Sequence, residues 1–262
     1  MNISKKLLAR DPSRFVVYEM IENIQKEGVI KPFSLETDKM FLFKTKPYTN
    51  HLYNYVHFFS GNINEDDWRI IKDFFAGDSF RIKLEENRLN EDFLLKQGLK
   101  YKSLDHSAEL DEIDPQNLKD LLGRDHKIKI VSDSKTLDDF KQIICSAFSY
   151  QATDYQARFD FLDSFLLDKN YNKIKAFVLY RAEKAVSTGL YYSFSNFSIE
   201  NIGTLPEERG RGYAGLMVAH LLEEARALGH SKACLVSSES GISVYKKRGF
   251  KEIAKELTYI KD

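Results

Sequence analysis

The chain of 262 residues is poor in the residues that staple or punctuate a fold: two cysteines, five prolines and 13 glycines. No Cys-x-x-Cys pair occurs and the six histidines show no metal-ligand spacing. A disulfide scaffold and a zinc module are therefore not expected, and no metal is. Cys145 and Cys234 lie in apolar stretches and read as reduced, buried thiols of a cytoplasmic protein. No apolar run is long enough to cross a bilayer, and no apolar segment follows the N-terminal lysines, so neither a membrane span nor a secretory leader is expected. Neither sign of charge prevails: Lys+Arg and Asp+Glu count 39 each. That balance points away from nucleic acid and anionic membranes as partners. Oligomeric state is not legible.

Aromatic residues are abundant, at 13%, with 19 Phe and 14 Tyr. A chain of this length with that stock suits two domains. The expected division is an α+β domain at 1–115 and a second domain at 124–262. The Asp-rich segment from Leu110 to Gly123, with Pro115, reads as the link.

The most informative run is Thr204-Leu205-Pro206-Glu207-Glu208-Arg209-Gly210-Arg211-Gly212-Tyr213-Ala214-Gly215. A strand-like stretch, Phe197 to Leu205, precedes it. A helical stretch, Leu216 to Leu228, follows, with Met217, Leu221, Ala225 and Leu228 on one stripe. Strand, glycine-rich turn and helix start together make an anion site. Free N–H groups at the helix N-terminus face the ligand, and glycine lets the backbone come close. Arg209 and Arg211 add cationic donors. A phosphorylated ligand is expected here. Gly210-x-Gly212-x-x-Gly215 matches the dinucleotide fingerprint as a pattern only: Pro206 and two glutamates separate it from its strand, and too few βα units follow. No Gly-Lys-Ser/Thr ending is present, which argues against an ATPase.

Further on, Lys232 to Val236 reads as a buried strand and Ser237 to Ser240 as a cap-like cluster. A short helix through Tyr245 to Arg248 follows, stopped by Gly249 before Phe250. These residues resemble the GNAT superfamily of acyl-CoA-dependent N-acetyltransferases. The family's diphosphate motif, Arg/Gln-x-x-Gly-x-Gly/Ala, is matched by Arg209, Gly212 and Ala214. Thr204 and Pro206 match the family form ahead of it. The family's tyrosine four residues before Gly-Phe is matched by Tyr245, Gly249 and Phe250.

The coarse order agrees: a strand at 126–131, helices at 137–148 and 160–167, strands at 175–180, 185–192 and 197–205, helix, strand, short helix, and a terminal hairpin. The implied fold class is an α/β (α+β mixed sheet) GNAT fold over the C-terminal half. Upstream, helix 65–75, strand 80–84, short helix 90–96, Gly98-Leu99 and strand 100–104 echo that order without the Gly-x-Gly run. Gln97 and Leu95 stand in the region of the acid tyrosine. A degenerate copy and an unrelated α+β domain both stay open.

The resemblance implies an acyltransferase that moves an acetyl group from acetyl-CoA, its co-substrate, to a primary amine by direct attack. A neutral chain favours a small or amino-acid-like acceptor over a basic protein tail. A non-catalytic acyl-CoA sensor and a protein-amine acetyltransferase, docking through Tyr48, Tyr53, Tyr55, Phe58 and Phe59, are the alternatives. Tyr245 is the candidate acid for the leaving thiolate. Glu200 is the candidate base, with Asp154 and Asp160 behind it. A one-residue bulge would exchange Glu200 for Asn201 on the acceptor face. Candidate cofactor residues are Gly203, Thr204, Leu205, Arg209, Gly210, Arg211, Gly212, Tyr213, Ala214, Gly215, Ser238 and Ser240. Glu207 and Glu208 read as solvated turn residues, and His220 as structural or exposed.

Overall fold

Apolar residues three and four apart make Pro12–Gln25 a helix, α1, which buries Val16, Met20, Ile21 and Ile24. Strands β1 (Lys31–Glu36), β2 (Met40–Lys46) and β3 (Tyr55–Phe58) then run antiparallel in sequence. Helix α2 (Glu65–Phe75) buries Trp68, Ile71 and Phe75 on one face. Asn64 starts it with a reciprocal capping box to Asp67. Strand β4 (Phe80–Glu85) lies parallel to β3 over four pairs, from Tyr55 with Arg81 to Phe58 with Leu84. A short helix, α3 (Glu91–Lys96), and strand β5 (Lys100–Leu110) follow. Alternation sends Ile82 and Leu84 into an aromatic core around Trp68 and Phe75, and Lys83 to the other face.

The same order then repeats. Strand β6 (His126–Ile130) precedes helix α4 (Ser134–Phe148), which Asp133 caps. After helical residues 162–167 come strands β7 (Ile174–Arg181), β8 (Lys184–Ser193) and β9 (Phe197–Thr204). A 3-10 turn at Pro206–Glu208 leads to helix α5 (Tyr213–Ala227), strand β10 (Ala233–Ser238) and helix α6 (Ile242–Lys246). Strands β6 to β9 are antiparallel neighbours, and β10 joins β9 in parallel. Two glycines show which helix covers which face. A Cβ on Gly189 would meet Met217 and Leu221 of α5, and one on Gly203 would meet Ala147 of α4. Gly203 lies opposite Thr188, the neighbour of Gly189, so α4 and α5 sit on opposite faces.

The computed structural model describes residues 7–8, 11–25, 31–46, 54–59, 62–85, 91–114, 125–151, 156 and 162–261. Its contacts divide the chain into two units: Met1–Ala108 with Val236–Ile242 and Glu252–Asp262, and Glu109–Leu235 with Ser243–Lys251. This differs from the expected split at 1–115 and 124–262. The reason is the last strand, β11 (Lys251–Lys261), which pairs antiparallel with β4, Glu256 with Glu85 through Lys261 with Phe80. It is one strand of 11 residues, where the sequence suggested a hairpin. Strand β5 also outruns the expected 100–104, reaching Leu110. The stretch 115–123 of the expected link lies outside the described residues.

Candidate active site

Strand β9 is irregular where the site is built. Thr188 of β8 pairs with Gly203 and Leu190 with Glu200, so Gly189 alone spans Asn201 and Ile202. That is a β-bulge, and Asn201 takes the left-handed φ of 52° it requires. Glu200 keeps its register, and Asn201 is the extra residue. On the other edge, Cys234 of β10 pairs with Ser198 and Leu235 with Ile199.

The glycine turn follows. Gly210 and Gly212 have φ of 78° and 83°, and a Cβ on either would meet nothing within 4 Å. Backbone conformation demands glycine here, and the space in front is open. Gly212 is the N-cap of α5 and offers no side-chain cap, so the first-turn N–H groups face that space uncapped. The helix begins at Tyr213, one turn before the expected Leu216. Tyr213 is buried with its ring edge-on to His126; it and Ala214 offer the turn their backbone. Gly215 lies under the Arg248 guanidinium, 3.4 Å from where its Cβ would be. Arg248 is a cation at this helix start that the sequence reading missed; no spacing links it to a turn more than 30 residues upstream.

The two arginines of the run part ways. Arg209 donates to the Ala147 carbonyl at 2.8 Å and the Thr204 carbonyl at 3.4 Å. Ala147 belongs to the last turn of α4, where carbonyls lack helical partners and a cation is favoured. Arg209 thus ties the turn to α4. Arg211 is half exposed, with its Nε 3.4 Å from Glu208 Oε2. Glu208 is buried, contrary to its reading as a solvated residue: Lys184, Arg181 and Arg211 surround it and meet the cost of burying the charge. Glu207 is exposed, as expected.

Gly203 faces α4: a Cβ there would stand 3.1 Å from Ala147 Cβ. Its absent side chain admits the helix. The Thr204 hydroxyl bonds Ser187 Oγ at 3.0 Å, and Leu205 N–H donates to Val186 O at 3.1 Å. Ser238 and Ser240 bond each other at 3.1 Å at the exposed end of β10. They belong to the segment grouped with the first unit.

Tyr245 is buried at one end of α6, packed edge-on against Phe250. Its hydroxyl has no hydrogen-bond partner among the described residues. Burial pushes its pKa well above the usual phenol value, and the Glu200 carboxylate pushes it further. The two groups therefore sense each other. Ser198 donates to Glu200 Oε1 at 2.6 Å and holds that carboxylate. Asp154 and Asp160 lie outside the described residues. His220 packs edge-on to Phe177 at 4.6 Å, and burial lowers its pKa to about 4. A cavity of about 260 Å³ between α4 and the start of β8 reaches Leu205 and Glu207 and holds Asp139, Gln142 and Ser146.

Cys145 and Cys234 are free thiols; Cys234 is buried and Cys145 partly so. Asp11, His57 and Glu256 bring metal-ligand types within 4.8 Å of one another. The ammonium of Lys83 lies 3.1 Å from Asp11 and 3.4 Å from Glu256, and supplies the cation there. No helix among the described residues is long and apolar enough to cross a membrane.

Among known proteins, residues 128–253 match the family model described as an acetyltransferase (GNAT) domain. Solved structures match over most of the chain at low identity. A GCN5-related N-acetyltransferase from Kribbella flavida is 12% identical with a TM-score of 0.65, covering 95% of this chain and 94% of that one. A conserved protein of unknown function from Staphylococcus epidermidis is 14% identical at 0.67, covering 90% and 96%. A tandem GNAT protein from the clavulanic acid biosynthesis pathway is 9% identical at 0.56, covering 89% and 82%. No curated protein matches the sequence. Residues 128–253 thus carry a domain of the GNAT acetyltransferase family, and the fold over most of the chain is the GNAT fold.

Proposed function

We propose that the second unit is an acetyl-CoA-dependent N-acetyltransferase acting on a primary amine of a small, amino-acid-like acceptor. The observation that carries this reading is the run from β9 into α5: a bulge at Asn201, the open glycine turn, and then the uncapped start of α5. Diphosphate oxygens suit the N–H groups of the α5 start, with Arg211 as the cation. The thioester suits the backbone at the bulge, where N–H donors stabilise a tetrahedral oxyanion. An alkyl amine, pKa ~10.4, is mostly protonated at neutral pH and must lose a proton before attack. Glu200 takes that proton. The amine nitrogen bonds to the acetyl carbon, and the carbon–sulfur bond breaks. The leaving thiolate takes the Tyr245 proton, and the second proton of the nitrogen returns to the Tyr245 phenolate, giving neutral amide and free thiol.

The first unit serves as a non-catalytic copy. It repeats the element order, but each cofactor feature is closed. Its helix start is capped by Asn64 and carries Glu65, Asp66 and Asp67 in the first turn, charges that repel phosphate. Four residues before Gly98 stands Leu94, buried and without a proton to give.

Calorimetric titration with acetyl-CoA, with NAD and ATP as controls, tests both halves. One mole of acetyl-CoA per chain with silent controls supports the reading, and amine acceptors are then screened by thiol release. Two moles per chain would refute the non-catalytic copy. No binding would refute the enzyme.

A further inference from the structure

The glycine turn is anchored by a carboxylate. Glu208 is 3% exposed. Its Oε1 accepts from Lys184 Nζ at 3.1 Å and Arg181 Nη2 at 3.4 Å, two cations from the hairpin that joins β7 to β8. Its Oε2 makes no hydrogen bond among the described residues and faces Arg211 Nε at 3.4 Å. The hydrogen bond from Lys184, with the charges of Arg181 and Arg211, keeps the carboxyl below its usual pKa, so it is ionised at neutral pH. Among the described residues the ion pair of Arg211 runs through its Nε, and its side chain is half exposed. A guanidinium held at Nε has its long side chain ordered while the Nη pair stays available for a two-point grip on an oxyanion.

We propose that Glu208 is a positioning residue for the anion site: it tethers Arg211 by Nε and presents the Nη pair to the diphosphate of CoA. This rests on the reading of the second unit as a CoA-binding domain. Two effects of removing the carboxylate oppose each other. Losing a negative charge beside an anion site strengthens binding, whereas freeing Arg211 makes the ligand order it anew. The tether requires that the second effect wins.

The test is a double-mutant cycle read by CoA titration, with Tm measured for every variant. Glu208→Gln should weaken CoA binding about two- to tenfold, the cost of ordering one long side chain. Arg211→Met should weaken it too, and Glu208→Gln should add nothing in that background. Loss of fold alone would weaken binding equally in both backgrounds. Lys184→Met, at the half-exposed end of the same network, should repeat the pattern more weakly and serves if Glu208→Gln does not fold. Unchanged or tighter binding by Glu208→Gln, or equal weakening with and without Arg211, overturns the tether while leaving CoA binding intact. A wild-type chain that fails to bind CoA overturns the functional reading, and the tether with it.

Discussion

Replacing Lys83 with methionine should cost the first unit a large part of its stability, and the cost should depend on pH. Lys83 is 1% exposed. Its Nζ lies 3.1 Å from Asp11, 3.4 Å from Glu256 and 3.5 Å from Asp105. Methionine fills a similar volume, so the loss is chiefly one of charge. Removing one partner of a buried ion pair typically costs about 3–5 kcal/mol, because the other charge stays buried and uncompensated. At a urea slope of about 2 kcal/mol/M, the midpoint should fall by about 2 M. The chain has one tryptophan, and Trp68 sits in the first unit's core, so its fluorescence reports that unit. In the native protein Lys83 holds Asp11 below the usual carboxylate range against the opposing effect of burial, whereas burial raises Glu256 to about 7. Without Lys83 both carboxyls rise further, and the folded variant binds protons the unfolded chain does not. Stability present at acid pH is then lost as pH rises through those raised values. The variant should recover more than wild type between pH 8 and pH 5. A loss below about 1 kcal/mol at pH 8, or a deficit equal at both pH values, would refute the account of Lys83 as the internal cation.

Other outcomes follow from the second unit and from the α2 cap. Tyr245→Phe should lower turnover on an amine acceptor by about a hundredfold or more, with acetyl-CoA affinity within about twofold; a large affinity loss would make Tyr245 a binding residue. Since burial raises Tyr245 well above the usual phenol value, no alkaline fall in kcat from its ionisation should appear below about pH 10. Gly212→Glu should abolish CoA binding in titration, by putting a carboxylate at the α5 N-cap and a side chain at a φ of 83°. Asn64→Ala should cost about 1 kcal/mol in urea unfolding followed at Trp68, because the cap is made by the Asn64 side chain; no change would mean that water replaces it.

Much of the second unit was legible because its information is local. Alternating Lys and Ile at 126–130 made a strand. The stripe through Met217, Leu221 and Ala225 made a helix, and Tyr245 to Phe250 stood at a spacing short enough to read. Helix α2 was legible for the same reason, since Trp68, Ile71 and Phe75 lie on one turn-by-turn face. Strands β1 and β2 were not, because the turn between them lacks the glycine that marks such connections. The fate of Glu208 was equally hidden: a Glu-Glu pair in a turn looks solvated until Arg181 and Lys184 arrive from another hairpin.

The sequence by itself determined the glycine turn, the helix behind it and the tyrosine near the end, since each depends on residues a few positions apart. Tertiary structure alone decided the rest. It placed the bulge at Asn201, so that Glu200 kept its register. It tied Arg209 to the end of α4 and set Arg211 beside Glu208. It laid the last strand against β4, joining the two ends of the chain in one unit. These are pairings between residues far apart in sequence, chosen by which buried polar groups find partners and which apolar faces close, and no local pattern records that choice.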